Sequence, residues 1–280
     1  MARSFSYNSM DMSQIPHTQQ ALNTHAGSSP AARLMLLFRG RRLLLTLVVL
    51  LGAAAMVGLG FWQLDRRDQK RERNALIRQR MAEPPLRVTG PVDDPVLLAY
   101  RPAIVAGTFD YEHEVVLRTR TREGRAGVRL LTPLHISGTE HSVLVDRGWI
   151  PYEEGEPEAR SVYRETGSVE LHGLLHPSQT RPSSFAPADP PLGPDRPRLD
   201  EWFRADVTRI QEQTPYPLLP FYVEQSAASG ENGPPWRDGQ VTLSEGPHLS
   251  YAIQWFSFAV VLLAGYVARA TRPGVRPDNQ

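Results

Sequence analysis

Hydrophobic positions fall into two long blocks separated by many short ones. No charged residue occurs from Leu43 to Leu64 (LLLTLVVLLGAAAMVGLGFWQL) or from Leu249 to Ala268 (LSYAIQWFSFAVVLLAGYVA). At 1.5 Å of rise per residue, either block reaches across a hydrocarbon layer of roughly 30 Å. Between them the runs are short and rich in Val, Leu and Thr: Ala103–Phe109, Glu114–Arg118, Val128–Ile136, Ser142–Ile150 and Ser168–Leu175. Turn-forming clusters at Phe109–Tyr111, Glu123–Arg125 and Ser137–Thr139 separate them, the signature of successive strands. Leu218–Glu224 and Val241–Leu243 read as closing strands. The pattern predicts a membrane protein in which two transmembrane α-helices flank a mainly antiparallel β domain, barrel- or sandwich-like.

Other segments follow from their punctuation. Arg66 to Arg80 is charged with few helix breakers, so it extends the first helix out of the membrane until Pro84-Pro85 stops it. Glu156–Tyr163 and Trp202–Gln213 read as short helices. Pro177–Pro197 reads as an extended surface loop. The chain therefore divides into a disordered tail over 1–38, a first span at 43–64, a β domain at 65–248, a second span at 249–268 and a tail at 269–280. A cleaved signal peptide is the rival reading of the first block, with Ala53-Ala54-Ala55 as its cleavage box. The apolar run continues well past those alanines, which favours a span.

Arg33, Arg39, Arg41 and Arg42 precede the first span, and Arg269, Arg272 and Arg276 follow the second. The positive-inside rule then places both termini in the cytoplasm and Asp65–His248 outside, in a multi-pass protein of the bacterial plasma membrane. The basic stretch after the first span opposes this, but Asp65, Asp68 and Glu72 offset it and long loops obey the rule weakly.

Charge and composition narrow the chemistry. With 31 Lys+Arg against 30 Asp+Glu, the net charge of +1 excludes a nucleic-acid partner, which demands a basic footprint. Cysteine is absent, so disulfides, thiolate-held zinc, iron–sulfur clusters and a cysteine nucleophile are excluded. Copper delivery is disfavoured for the same reason, because Cu(I) prefers sulfur ligands. No phosphate loop, zinc-binding helix or nucleophile elbow is present, so no enzyme is predicted. His172 and His176 share one strand face, too far apart to share a metal, and read as surface or edge histidines.

His248 stands at the outer edge of the second span. Tyr251, Trp255 and Leu262 follow three, seven and fourteen residues on, which puts two aromatics on its helical stripe. An imidazole beside flat rings is the chemistry of an axial haem ligand. An interfacial histidine that bonds headgroups or the first helix explains the same residues, and aromatic belts occur without cofactors. A second stripe, Ser250, Gln254 and Ser257, lies roughly opposite, with Gln63 of the first span the nearest polar group at matching depth. Small residues Gly52, Ala54, Gly58 and Gly60 would let the spans approach closely. Only one stripe can face the first span, so the other meets lipid or another protein.

Three ordered motifs resemble the surfeit locus protein 1 family of cytochrome c oxidase assembly factors. The first is Gly60-Phe61-Trp62-Gln63-Leu64 followed by Arg66, Arg67 and Lys70. The second is Thr132-Pro133-Leu134 with Val143-Leu144-Val145-Asp146-Arg147-Gly148-Trp149-Ile150-Pro151. The third is His248-Leu249-Ser250-Tyr251-Ala252-Ile253-Gln254-Trp255-Phe256. Gly107–Asp110 and Trp202–Val207 are fainter echoes, and Pro247 departs from the usual residue before the histidine. The resemblance implies a membrane-bound assembly chaperone that handles haem a. His248 would be the iron ligand, and Tyr251, Trp255, Trp62 and Gln63 would line the macrocycle. The implied partners are the oxidase catalytic subunit, the machinery that makes haem a, and membrane lipid. Arg147, Gly148 and Trp149 carry over as fold residues: Gly148 meets a backbone demand, and Trp149 anchors the domain on the membrane or in its core. The alternative is a cofactor-free scaffold whose outer domain binds oxidase subunits.

Overall fold

The computed structural model describes residues 40–180, 187–228, 230, 233–238 and 241–272. The expectations for the 1–38 tail, for the last eight residues and for part of the Pro-rich loop lie outside these. The chain divides into two units, a helical pair and a larger β unit that holds Gln63–Leu249.

Helix α1 runs unbroken over Arg41–Met81 and stops just ahead of Pro84-Pro85. Its uncharged first half belongs to the helical pair, together with Ser250 onward of α3, which spans His248–Thr271. Val49 and Ala53 of α1 and Ala252 and Ala259 of α3 are buried. Small side chains at the seam let the backbones draw close. A Cβ on Gly60 would collide with the Phe256 ring, and Phe61 meets Phe256 edge-on at 5.4 Å. Thr46 Oγ1 and Tyr266 OH share a hydrogen bond of 2.5 Å. Ala54 and Gly58, expected at this seam, face outward instead, because the seam follows Thr46, Val49, Ala53 and Gly60 at helical spacing. Both helices are long and apolar enough to cross a membrane. Only 22% and 11% of their apolar windows are buried, whereas the core helix of a water-soluble protein would be mostly covered.

The β unit consists of β1 (Leu86–Arg87), β2 (Pro102–Phe109), β3 (Val115–Arg122), β4 (Arg125–Ile136), β5 (Ser142–Pro151), β6 (Ser168–Pro177), β7 (Glu201–Trp202) and β8 (Leu218–Gln225). A short helix, α2 (Val207–Gln211), precedes β8. The strand order is β1-β2-β6-β8-β5-β4-β3-β7, and β2 also pairs with β4. That second pairing closes β2, β6, β8, β5 and β4 into a barrel, with β5 and β8 its parallel pair. Strand β4 is long enough to serve two neighbours on one edge: Val115↔Leu131 on β3, then Phe109↔Leu134 on β2. Gly107 sits at the closing seam, where a Cβ would run into the His135 carbonyl.

Three buried clusters follow from the alternation of side chains along these strands, the smallest being Val116, Val128, Leu130 and Ile150. Val105, Leu134, Val143, Val145, Leu175, Phe221 and Val223 fill the barrel. Leu117, Leu131, Leu144, Trp202, Val207 and Ile210 form a second layer outside it. Strand β5, between the two, is buried at every position.

The predicted Trp202–Gln213 helix is only Val207–Gln211. Trp202 belongs instead to β7, paired with Leu117 and completely buried, and Asp206 caps the helix by accepting from the Arg209 N–H. The Val241–Leu243 strand does not form, since those residues have no ladder partner among the described residues. The Glu156–Tyr163 helix is a 3-10 turn over Ala159–Tyr163 that follows another over Tyr152–Glu154. Residues 187–198 are mostly exposed as expected, except that buried Asp189 pairs with Arg204 at 3.2 Å.

Candidate functional site

The chain reaches α3 along the charged half of α1, held by polar contacts. Asn74 Nδ2 donates to the Ser244 carbonyl at 3.2 Å, and Arg71 Nε donates to Glu245 Oε2 at 2.8 Å. Gly246 then turns the chain at φ +73°, a conformation natural to glycine. His248 follows, and its Nδ1 lies 2.8 Å from Gln63 Oε1. An amide oxygen only accepts, so His248 Nδ1–H is the donor, and in the neutral ring that leaves the lone pair on Nε2. A Cβ on Gly246 would stand 3.4 Å from Nε2. Glycine therefore leaves that edge of the ring free of a neighbouring side chain.

Of the five expected site residues, the structure joins His248 and Gln63 directly. Gln63 takes the histidine rather than Gln254 of the polar stripe. Trp62, Tyr251 and Trp255 belong to the helical pair. Trp62 and Tyr251 are about half exposed, while Trp255 is partly buried and meets Phe258 edge-on at 6.0 Å. The Ser250, Gln254 and Ser257 stripe is exposed, and Ser257 Oγ donates back to the Ile253 carbonyl.

The central motif has a structural role that begins with a bulge. Between β4 and β5, Leu131 faces Asp146 and Leu130 faces Gly148, so Arg147 is the extra residue. A bulge re-aims its side chain, and Arg147 turns fully into the protein. There its Nη1 donates to Glu114 Oε2 at 3.1 Å, and its guanidinium lies 4.9 Å over Phe109 and 5.1 Å over Tyr111. Thr132 Oγ1 donates to the same Glu114 oxygen at 2.5 Å, and Arg160 Nε holds the other at 3.0 Å. Gly148 completes the bulge at φ +119°, and a Cβ there would meet the Trp236 carbonyl oxygen at 2.8 Å. Trp149 packs on Trp236 inside the β unit and donates its indole N–H to the Arg120 carbonyl, so it anchors the core. Arg160 Nη2 also donates to Asp200 Oδ1 at 2.7 Å, and none of Glu114, Arg160 and Asp200 stands out in the sequence as a site residue. A charged residue entering an apolar strand was the signal at Glu114.

Two further polar clusters lie on the β unit. Arg129 is bound by Asp146 at 2.7 Å, Glu224 at 2.8 Å and Asp238 at 2.7 Å. Burial pushes the Asp146 carboxyl up, although Arg129 pulls it down. Burial also works to raise Glu224, but bonds from His176 and Arg129 outweigh it and hold that carboxyl below its usual value. His176, expected at the surface or a sheet edge, is instead stacked on Tyr222 at 5.2 Å, with its Nε2 3.0 Å from Glu224 Oε2. At the other cluster Ser142 Oγ lies 2.8 Å from His135 Nδ1, and His135 Nε2 lies 3.9 Å from Asp110. The order resembles a nucleophile, base and orienting acid. Ser142 is fully buried within β5. Asp110 accepts from Tyr216 and His113, both at 2.6 Å. Burial alone would raise its carboxyl; these bonds lower it.

These features define a class: a closed β-barrel carried between two helices fit to cross a membrane, with its motifs at the helix edge and in the barrel wall. The family model of the SURF1 family matches residues 50–260. The chain is 28% identical over 230 residues to a SURF1-like protein of Monosiga brevicollis, covering 78% of this chain and 85% of that one. It is 30% identical over 233 residues to human surfeit locus protein 1 (76% and 73%), and 31% over 228 residues to the mouse protein of that name (74% and 70%). The chain belongs to the SURF1 family.

Proposed function

We propose that this chain is a membrane-bound assembly factor for cytochrome c oxidase, and that His248 holds the iron of haem a before its transfer to the catalytic subunit. The observation that carries this reading is the 2.8 Å contact between His248 Nδ1 and Gln63 Oε1. Histidines that bind metal commonly donate their second N–H to an oxygen, which orients the ring and raises its basicity. Gln63 Oε1 provides that oxygen, and the lone pair of Nε2 is left beside Gly246. Haem, when bound, would contribute a ferric or ferrous iron that accepts this nitrogen. The residues bind and release the group; they make and break no bond within it. The haem a synthesis machinery and the oxidase catalytic subunit would be the partners on either side of this transfer.

The test is a visible spectrum of the protein purified in detergent from cells that make haem a. His248→Ala should insert normally, since alanine is apolar and favours helix, and should lose or shift the haem bands. Gln63→Leu should keep the bands and weaken haem retention by about 10- to 100-fold, the usual effect of removing a ligand's orienting partner. An unchanged spectrum in His248→Ala would reject the site and leave the cofactor-free scaffold standing.

A further inference from the structure

A cleft of about 430 Å³ opens in the β unit between the end of α1 and the strands β6 and β8. Met81, Tyr100, Leu174 and Val241 form its apolar side. Glu224, Asp238 and His176 stand on its polar side, with His176 Nε2 3.0 Å from Glu224, and no lysine or arginine lines it among the described residues. Arg129 reaches both carboxylates from behind, and Arg122 reaches Asp238 at 3.0 Å. These contacts fix both acids in place, and each carboxylate oxygen has a second lone pair to offer. The Glu224 side chain is 24% exposed and that of Asp238 49%.

The aromatic wall is held in place as firmly. Tyr100 has a left-handed backbone, φ +68°, unusual for a residue with a Cβ. Its ring meets His176 edge-on at 5.1 Å, and His176 is stacked on Tyr222. An aromatic and aliphatic wall beside two anchored carboxylates suits a cation carried on an apolar stem.

We propose that this cleft receives a lysine or arginine side chain of a partner polypeptide. The cationic head lies between Glu224 and Asp238, and the stem lies along Met81, Tyr100 and Leu174. The volume exceeds what one extended side chain fills, which leaves room for the backbone beside it and favours a polypeptide over a free amine. The proposal stands apart from the haem reading, so loss of haem in His248→Ala would leave it untouched.

The experiment uses the whole chain in detergent with isotope-labelled methionine methyl groups, the Met81 signal being assigned through Met81→Leu. Three probes are titrated: a capped Ala-Lys-Ala peptide, the same peptide with norleucine for lysine, and 1,5-diaminopentane. The lysine peptide should move the Met81 methyl signal saturably, at least tenfold more tightly than either other probe. Asp238→Asn should weaken it at least tenfold without changing the remaining methionine signals. Glu170→Gln, which removes an acid paired with Arg87 elsewhere on the β unit, should have no effect. Equal binding of the norleucine peptide, or no effect of Asp238→Asn, would overturn the site. Tighter binding of the diamine would overturn the polypeptide partner.

Discussion

Arg147 is buried because a bulge turns it inward, and Glu114 is buried with it as its ion-pair partner. Removing one partner of such a pair leaves the other as an uncompensated charge. Arg147→Ala should therefore cost about 3 kcal/mol of stability, part of Glu114's charge still being met by Arg160. Gly148→Val should cost at least about 2 kcal/mol, because φ +119° strains a β-branched residue and its Cβ meets the Trp236 carbonyl. Both are measured by chemical denaturation of the full chain in detergent, followed by tryptophan fluorescence. Neither change should alter haem retention in the protein that does fold. Normal stability combined with failed oxidase assembly would make this block a docking surface instead.

At the scale of elements, the helical pair depends on where small residues fall around α1. Gly60 lies against Phe256, whereas a Cβ on Gly58 would meet nothing within 4 Å. Gly60→Leu should force the helices apart, and Gly58→Leu should be tolerated. The absence of cysteine allows a direct measurement: cysteines placed at Gly52 and Leu262, where a Cβ on the glycine lies 3.5 Å from the leucine side chain, should be trapped as a disulfide. Trapping should persist with Gly58→Leu and fall several-fold with Gly60→Leu. Equal trapping in both would show that the seam does not run through Gly60. The Arg66–Arg80 segment obeys a simpler rule, since charged helix formers extend α1 until the double proline stops it.

For the whole molecule, the proposed arrangement places both termini in the cytoplasm and the barrel outside. A phosphatase reporter, active only outside the cytoplasm, should be silent when fused after Gln280 and active when fused at Gly138, the exposed hairpin between β4 and β5. The reverse pattern would invert the topology and place the proposed haem ligand at the opposite face.

The sequence by itself determined the two long apolar helices, the charged extension of the first and six barrel or edge strands to within a few residues. Each rests on a local period or a local breaker, and such signals need no knowledge of distant chain. The backbone demand at Gly148 was legible for the same reason. Tertiary structure decided what depends on partners far along the chain. Trp202 is strand rather than helix because Leu117 lies beside it. Val241–Leu243 is not strand because no neighbour among the described residues pairs with it. Glu114, Arg147 and Arg160 form one buried network although 46 positions separate the outermost two. The partner of Gln63 was likewise settled in three dimensions: sequence put it level with two polar stripes, and the fold delivered His248 to it across 185 positions. Hydrophobic periodicity says which face of an element is buried, but only the closed fold says against what, because pairing and charge compensation are properties of contacts.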